Sequence, residues 1–410
     1  MRNIILLSLM ILVVAACSIE PNITQEKRMK KLEFFSVKEE TRPIFEQLIL
    51  EFEARYQDIQ IEQVIVPNGM AVLKNRMARG DAPDLFISYP LEQDYIIRVK
   101  NGYLLDITRE LFLDRVQPTI QQRYSVDGRM YGAAFTQNSV GVLYNKQLFR
   151  ELNLPIPVTW DEWVKTLETL QASGVNPLLM PNEEPEQTSI VTLNFVANRF
   201  PPAFWTGDLH LKDQQEWVEI NEKIKTLLSY TSRSSFVMGY DEANKAFAQG
   251  KGAMYIMGTW SLPMIEKLNP DLEYGIFPVP VSNLPAENRV LGGVDIGISI
   301  SSATEFPIEA KLFLAFLTEQ ENAQRLSLYE GSVSTIIGSQ ETKEVLSLIS
   351  KKVQDGDTVN WPNHYWLGGT RAETEYRLHT LQYFKDLDGR GYLSRLEEMF
   401  RTYSNEEQTP

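Results

Sequence analysis

Residues 32–88, LEFFSVKEETRPIFEQLILEFEARYQDIQIEQVIVPNGMAVLKNRMARGDAPDLFIS, decide the fold class. Leu32 to Val37 is a short apolar strand. Pro43 then sits in a first helical turn, and Phe45, Leu48, Ile49, Phe52 and Tyr56 recur at helical spacing. Ile59, Ile61 and Val64 to Val66 form the next strand, and Pro67-Asn68-Gly69 turns out of it. Val72 to Arg79 reads as a short helix ended by Gly80. Asp84 to Ser88 reads as a buried strand, followed by a helix through about Lys100. This βαβαβ order predicts a largely parallel sheet with helices on its faces. Such sheets hold ligands in the crevice beyond the carboxyl ends of their strands. Glu39, Glu40, Ser88 and Tyr89 follow strands one and three, so they belong at a cleft edge.

The second half repeats the style without repeating the sequence. Thr159-Trp160-Asp161-Glu162 is a capping box, and Trp163, Leu167 and Leu170 mark one face of the helix it opens. Asp241 to Gln249 is a helix closed by Gly250. Ala253 to Met257 is an apolar strand with Gly258-Thr259-Trp260 at its end, and Glu273 to Phe277 is a further strand. Glu309 to Phe316 is strongly helical, and Tyr392 to Phe400 closes the chain before a polar tail, Ser404 to Pro410.

The N-terminus has a different character. Ile4 to Ala16 is an apolar run of 13, too short for a bilayer span of about 20 residues but right for a secretory h-region. It ends at Cys17, the only cysteine of the chain, after Val14-Ala15-Ala16. Small residues before a cysteine resemble the bacterial lipobox, in which that cysteine is lipidated and becomes the new N-terminus. A buried cysteine in an ordinary signal peptide is the competing reading. Ser18 to Lys31 is polar and without periodicity, a linker with a root-mean-square reach of about 20 Å.

The 410 residues, less the signal, exceed one compact core and suit two domains. A net charge of −14 argues against nucleic acid, whose phosphates need a basic footprint. His210, His364 and His379 lie far apart, with no metal-ligand spacing, and neither a nucleophile elbow nor a phosphate loop occurs. No metal and no cofactor is therefore expected. Aromatic residues carry more information. Trp260 and Tyr89 follow buried strands, Trp205 lies in the loop FPPAFWTG, and Trp361, Tyr365 and Trp366 crowd the loop NWPNHYWLGG. A pyranose offers an apolar C–H face and a rim of hydroxyls, so an aromatic plate ringed by acids, amides or arginine suits it. Core tryptophans capping a sheet are the alternative for each.

Several stretches together resemble the extracellular solute-binding proteins of sugar ABC transporters, the group related to maltose-binding protein. They are Ala82-Pro83-Asp84-Leu85-Phe86; Gly128 to Ala134 running into Asn138 to Lys146; Pro157 to Trp163; Ala246 to Met254 with Gly258-Thr259-Trp260; Leu291 to Ile298; and Glu330 to Ser334, where the family usually has proline at the position of Ser334. The resemblance implies an α/β, two-lobed fold of the periplasmic-binding-protein type, each lobe a mostly parallel sheet flanked by helices. Crossings between the lobes are expected near Thr136 to Gly141, Ser282 to Leu291 and Glu330 to Thr335. The implied division is a signal peptide at 1–16, a linker at 17–31, lobe 1 at 32–137 and 289–331, lobe 2 at 142–284 and 335–403, and a tail at 404–410.

By motif position, Asn138 is a polar contact on the first crossing, Trp260 the stacking tryptophan of the second lobe and Asp295 the acid that binds sugar hydroxyls. Ser88 and Tyr89 match a contact loop of the first lobe, and Glu39 or Glu40 the loop after the first strand. Trp205, Trp361 and Trp366 rest on the aromatic argument alone. The implied function is a monomeric, non-enzymatic, lipid-anchored carbohydrate receptor that delivers its ligand to an ABC transporter permease. Lys38, Arg371 or Arg377 in the cleft would favour uronates. A non-sugar solute on the same fold, or a surface glycoside hydrolase, are the competing readings.

Overall fold

The computed structural model describes residues 29–408 except 67–68, 207–208 and 340–342; the side chains of residues 40, 206 and 406–408 are also outside the description. The expected signal peptide, Cys17, the linker up to residue 28, Pro67-Asn68 and Gly207 lie outside the described residues. The opening βαβαβ unit is present: β1 (Lys30–Ser36), α1 (Arg42–Arg55), β2 (Ile59–Ile65), α2 (Gly69–Ala78) and β3 (Leu85–Ile87). β1 runs parallel to β2 from Lys30↔Ile59 to Ser36↔Ile65, and parallel to β3 on its other edge. α1 buries Phe45, Leu48, Ile49 and Phe52 of the expected stripe and Ile44 besides, while Tyr56 is its half-buried C-cap. Phe45 meets Phe34 of β1 edge-on at 4.9 Å, and Phe52 meets Phe313 at 5.1 Å.

β1 begins two residues inside the expected linker. Lys30 and Lys31 look solvated, yet the Lys30 amide donates to the Asp58 carbonyl and its ammonium binds Glu309 Oε1 at 2.6 Å. Polar composition hid a strand whose first lysine is neutralised by Glu309 and Asp58, while Lys31 stays exposed.

The first sheet has six strands in the order Val333–Ser334, Ala133–Gln137, Val294–Ile300, β3, β1, β2. The second has four, in the order Tyr274–Phe277, Val140–Asn145, Met254–Gly258, Leu178–Leu179. Both are mixed rather than mostly parallel. The parallel pairings are β2-β1-β3 in the first and Leu178–Leu179 with Met254–Gly258 in the second. All other pairings within these two sheets are antiparallel. The chain steps from the first sheet to the second between Gln137 and Val140, and returns between Phe277 and Val294.

Two cores follow from this layering. One packs α1 and the helix Pro307–Leu317 against one face of the first sheet. The larger runs from the other face of that sheet into the second lobe. The capping box at Thr159 and Glu162 forms as read, and Trp163 of that helix is fully buried. The C-terminal helix, Gly389–Gln408, continues through most of the expected tail. Tyr392, Leu396, Met399, Phe400 and Tyr403 form its buried stripe, which ends just before the polar tail.

Candidate functional site

A cleft of about 920 Å³ opens between the two sheets, at the carboxyl ends of β1, β3 and the strand Met254–Gly258. Its position is that expected of an open α/β sheet. The floor, on the first-lobe side, is charged. Lys38 follows β1, Asp295 opens the strand Val294–Ile300, and Glu330 ends the helix Gln320–Glu330. The Lys38 ammonium pairs with Glu330 Oε1 and with Asp295 Oδ1 at 3.0 Å. Glu330 Oε2 accepts from Thr136 Oγ1 and Ser332 Oγ, both at 2.8 Å. Burial alone would lower the Lys38 pKa, but Glu330 and then Asp295 outweigh it and hold it above its ordinary value. Burial first, and the Asp295 charge second, push Glu330 up to about 7 against the pull of Lys38. Tyr89 stands beside this floor, its phenol raised chiefly by burial.

The opposite wall is aromatic. Trp260 remains 37% exposed at the end of its strand, and its ring lies 6.3 Å from that of Trp361 at an angle of 42°. The indole rests on Gly258: a Cβ added there would come within 2.0 Å of the ring, so this plate requires glycine. Asn138, on the first crossing, is fastened to Gly293. Its amide donates to the Gly293 carbonyl at 3.1 Å, and its Oδ1 accepts from the Gly293 amide at 2.9 Å. Gly292 allows this approach, since a Cβ there would meet the Asn138 carbonyl at 2.1 Å.

Two helices close the far side, Pro185–Arg199 and Gly369–Asp386. Arg377 projects between them, bound to Glu186 Oε1 at 2.5 Å and to Glu373. Gln187, Asn363 and His364 line the cleft, and the buried atoms Gln187 Oε1, Asn363 Oδ1 and His364 Nδ1 have no hydrogen-bond partner among the described residues. Burial, reinforced by Arg123, pulls the His364 pKa down to about 4.

The cleft thus brings together Tyr89, Asn138, Trp260, Asp295 and Trp361, all singled out in the sequence. Four other expectations are corrected. Ser88 is fully buried, with its Oγ on Ser299 Oγ at 2.6 Å and its carbonyl accepting from the Tyr124 hydroxyl. Glu39 turns outward, 70% exposed, onto Arg42. Trp205 and Trp366 are core residues, only 4% and 5% exposed, with ring centroids 5.5 Å apart and both against Phe400. The Glu40 side chain lies outside the description. Of the cations considered, Lys38 and Arg377 line the cleft, while Arg371 lies over the Tyr403 ring. Sequence reasoning missed Glu330 as a site residue, and it missed Glu186, Gln187, Asn363 and Glu373 altogether.

Comparison with known proteins agrees with this architecture. The multiple sugar-binding protein of Streptococcus mutans is 28% identical over 404 residues, 94% of this chain and 93% of its own. The apo form of RafE from Streptococcus pneumoniae superposes with a TM-score of 0.80 at 25% identity, covering 92% of this chain and 98% of that one. RafE in complex with raffinose gives a TM-score of 0.71 at 25% identity, covering 91% and 99%. Residues 38–324 match the model of the bacterial extracellular solute-binding protein family, and the chain belongs to that family.

Proposed function

We propose that this protein is a carbohydrate receptor that captures a mono- or oligosaccharide in the interlobe cleft and delivers it to the permease of an ABC transporter. The observation that carries this reading is one cleft with an angled indole pair on one wall and a hydrogen-bonding floor on the other. Trp260 and Trp361 offer plates for the C–H faces of sugar rings, while Asp295, Asn138 and Tyr89 offer hydrogen bonds to hydroxyls. The sugar-binding name of the Streptococcus mutans relative and the raffinose bound by RafE support the ligand class. The cleft draws on both lobes, so a sugar that touches both stabilises a closed arrangement by its differential affinity. Better superposition on apo RafE than on its raffinose complex supports reading the described arrangement as the open one.

The role is binding without catalysis. Asp295 and Glu330 share one ammonium between them, which is no arrangement for flanking a scissile glycosidic bond. The protein acts as a monomer outside the cell membrane, with Cys17 carrying a lipid after removal of residues 1–16. A tether of this kind raises the receptor's effective concentration at its permease. A thermal-shift screen tests the ligand class. An oligosaccharide that binds only the native state raises the melting temperature; if no mono- or oligosaccharide in a broad panel does so, the sugar reading fails.

A further inference from the structure

A second, smaller cavity of about 370 Å³ shares no lining residue with the cleft and has the opposite electrostatic character. Its charged lining residues are Arg123, Arg199 and Arg289, and no Asp or Glu lines it among the described residues. The contrast with the cleft is sharp, because there Lys38 and Arg377 are each held by two carboxylates. It is also unexpected in a chain with 54 acidic and 40 basic residues.

Arg123 is the telling member. Arg123 is almost wholly buried, and among the described residues its guanidinium donates only to neutral acceptors, the Gly292 carbonyl at 3.2 Å and Thr358 Oγ1 at 3.0 Å. Burial pulls its pKa down to about 10, and the Tyr365 phenol is the neighbour that opposes this. Buried charges are ordinarily paired, so this guanidinium carries an uncompensated desolvation cost. Arg289 is fixed at the rim by Asn198, which accepts from both its backbone amide and its guanidinium. Arg199 reaches Glu216 only at 3.7 Å. The Tyr365 hydroxyl accepts from Asn360 Nδ2 at 2.8 Å, which leaves its own proton to donate.

We propose that this cavity is a binding site for a small oxyanion of the phosphate class, held by Arg123, Arg199 and Arg289. Guanidinium forks match the geometry of such anions, and a bound anion would supply the charge that Arg123 lacks.

Isothermal titration of the intact protein with inorganic phosphate, in a zwitterionic buffer with chloride at matched ionic strength, tests the site. One saturable phosphate per chain is expected. The double variant Arg199→Gln/Arg289→Gln should weaken it about tenfold or more, the scale of losing a charge-assisted contact. Arg199→Gln alone serves as a milder variant should the double variant fold poorly. Sugar-cleft residues are untouched, so any sugar-induced thermal shift should persist. A parallel titration with glucose 6-phosphate separates the sources: binding there as well indicates a phosphate ester, binding of phosphate alone the free ion. Heats no different from the chloride control, or equal phosphate affinity in wild type and variants, would overturn the proposal.

Discussion

The floor and the aromatic wall of the cleft are built on opposite principles. The floor is a closed circuit in which Lys38, Asp295, Glu330, Thr136 and Ser332 satisfy one another before any ligand arrives. The wall leaves Trp260 more than a third exposed and held in place by what it rests on, a glycine, rather than by polar bonds. The floor therefore contributes to stability as well as recognition, whereas the wall is held in reserve for binding. A stability measurement and an affinity measurement should separate the two.

The largest effect expected is on the floor. Lys38→Met removes the ammonium and leaves two carboxylates facing each other with little solvent. Removing one partner of a buried charge cluster costs about 3 kcal/mol, and urea unfolding at pH 8 should show a loss of this size. The loss should shrink at pH 5, where Glu330, already raised toward neutrality by burial and Asp295, takes a proton and ends the repulsion. A variant as stable as the wild type at both pH values would mean that the floor does not depend on its ammonium for stability.

The wall should respond in the reverse sense. Trp260→Ala is expected to leave the unfolding midpoint almost unchanged and to weaken sugar binding by about 1 kcal/mol or more, the scale of an aromatic contact. Calorimetric titration with whichever sugar shifts the melting temperature gives the affinity, and denaturation gives the stability. Loss of the folded state would make Trp260 a core residue and abolish the contrast with the floor.

The same contrast explains what could be read from the sequence. The wall was legible at Trp260, because an apolar strand, a glycine and an aromatic residue are local signals. The unit β1-α1-β2-α2-β3 was legible for a similar reason: spacing within each segment matches the face that it buries. The floor was not, since Glu330 ends a helix where a glutamate normally meets water, and its partners Lys38 and Thr136 lie 292 and 194 positions away. Lys38 itself sits one residue before the glutamates favoured by the strand-end argument, and a lysine there looks like a solvated charge. The helix Pro185–Arg199 escaped because positions 188 to 197 are all buried. A helix with no polar face shows no 3.6-residue period. Trp205 and Trp366 show the limit of the aromatic argument: a loop rich in indoles does not reveal whether they face a ligand or each other.

The smallest expected effect concerns His364, where the aromatic loop meets the far side of the cleft. Burial and the Arg123 charge hold its imidazole neutral in the folded state, with a pKa near 4, below the ordinary value of 6.5. Unfolding then binds a proton between those values, so the native state loses stability as pH falls from 6.5 toward 4 and gains nothing further above 6.5. Glu330 and Glu92, both raised to about 7, act oppositely, stabilising the native state less as pH rises from 4.5 to 7. Their contribution is common to the wild type and a His364→Gln variant, so it cancels in the difference between them. Melting temperatures of the two proteins across pH 4 to 7 should therefore diverge on the acid side, the wild type falling relative to the variant. A constant difference would place a protonated imidazole in the folded protein at acid pH, and with it a cation on the far side of the cleft. The neutral ring expected instead carries one donor and one acceptor at pH 7, and its buried Nδ1 has no partner among the described residues. The far side of the cleft would then resemble the wall, with a polar atom not yet committed to the protein, where Lys38 and Glu330 of the floor already hold each other.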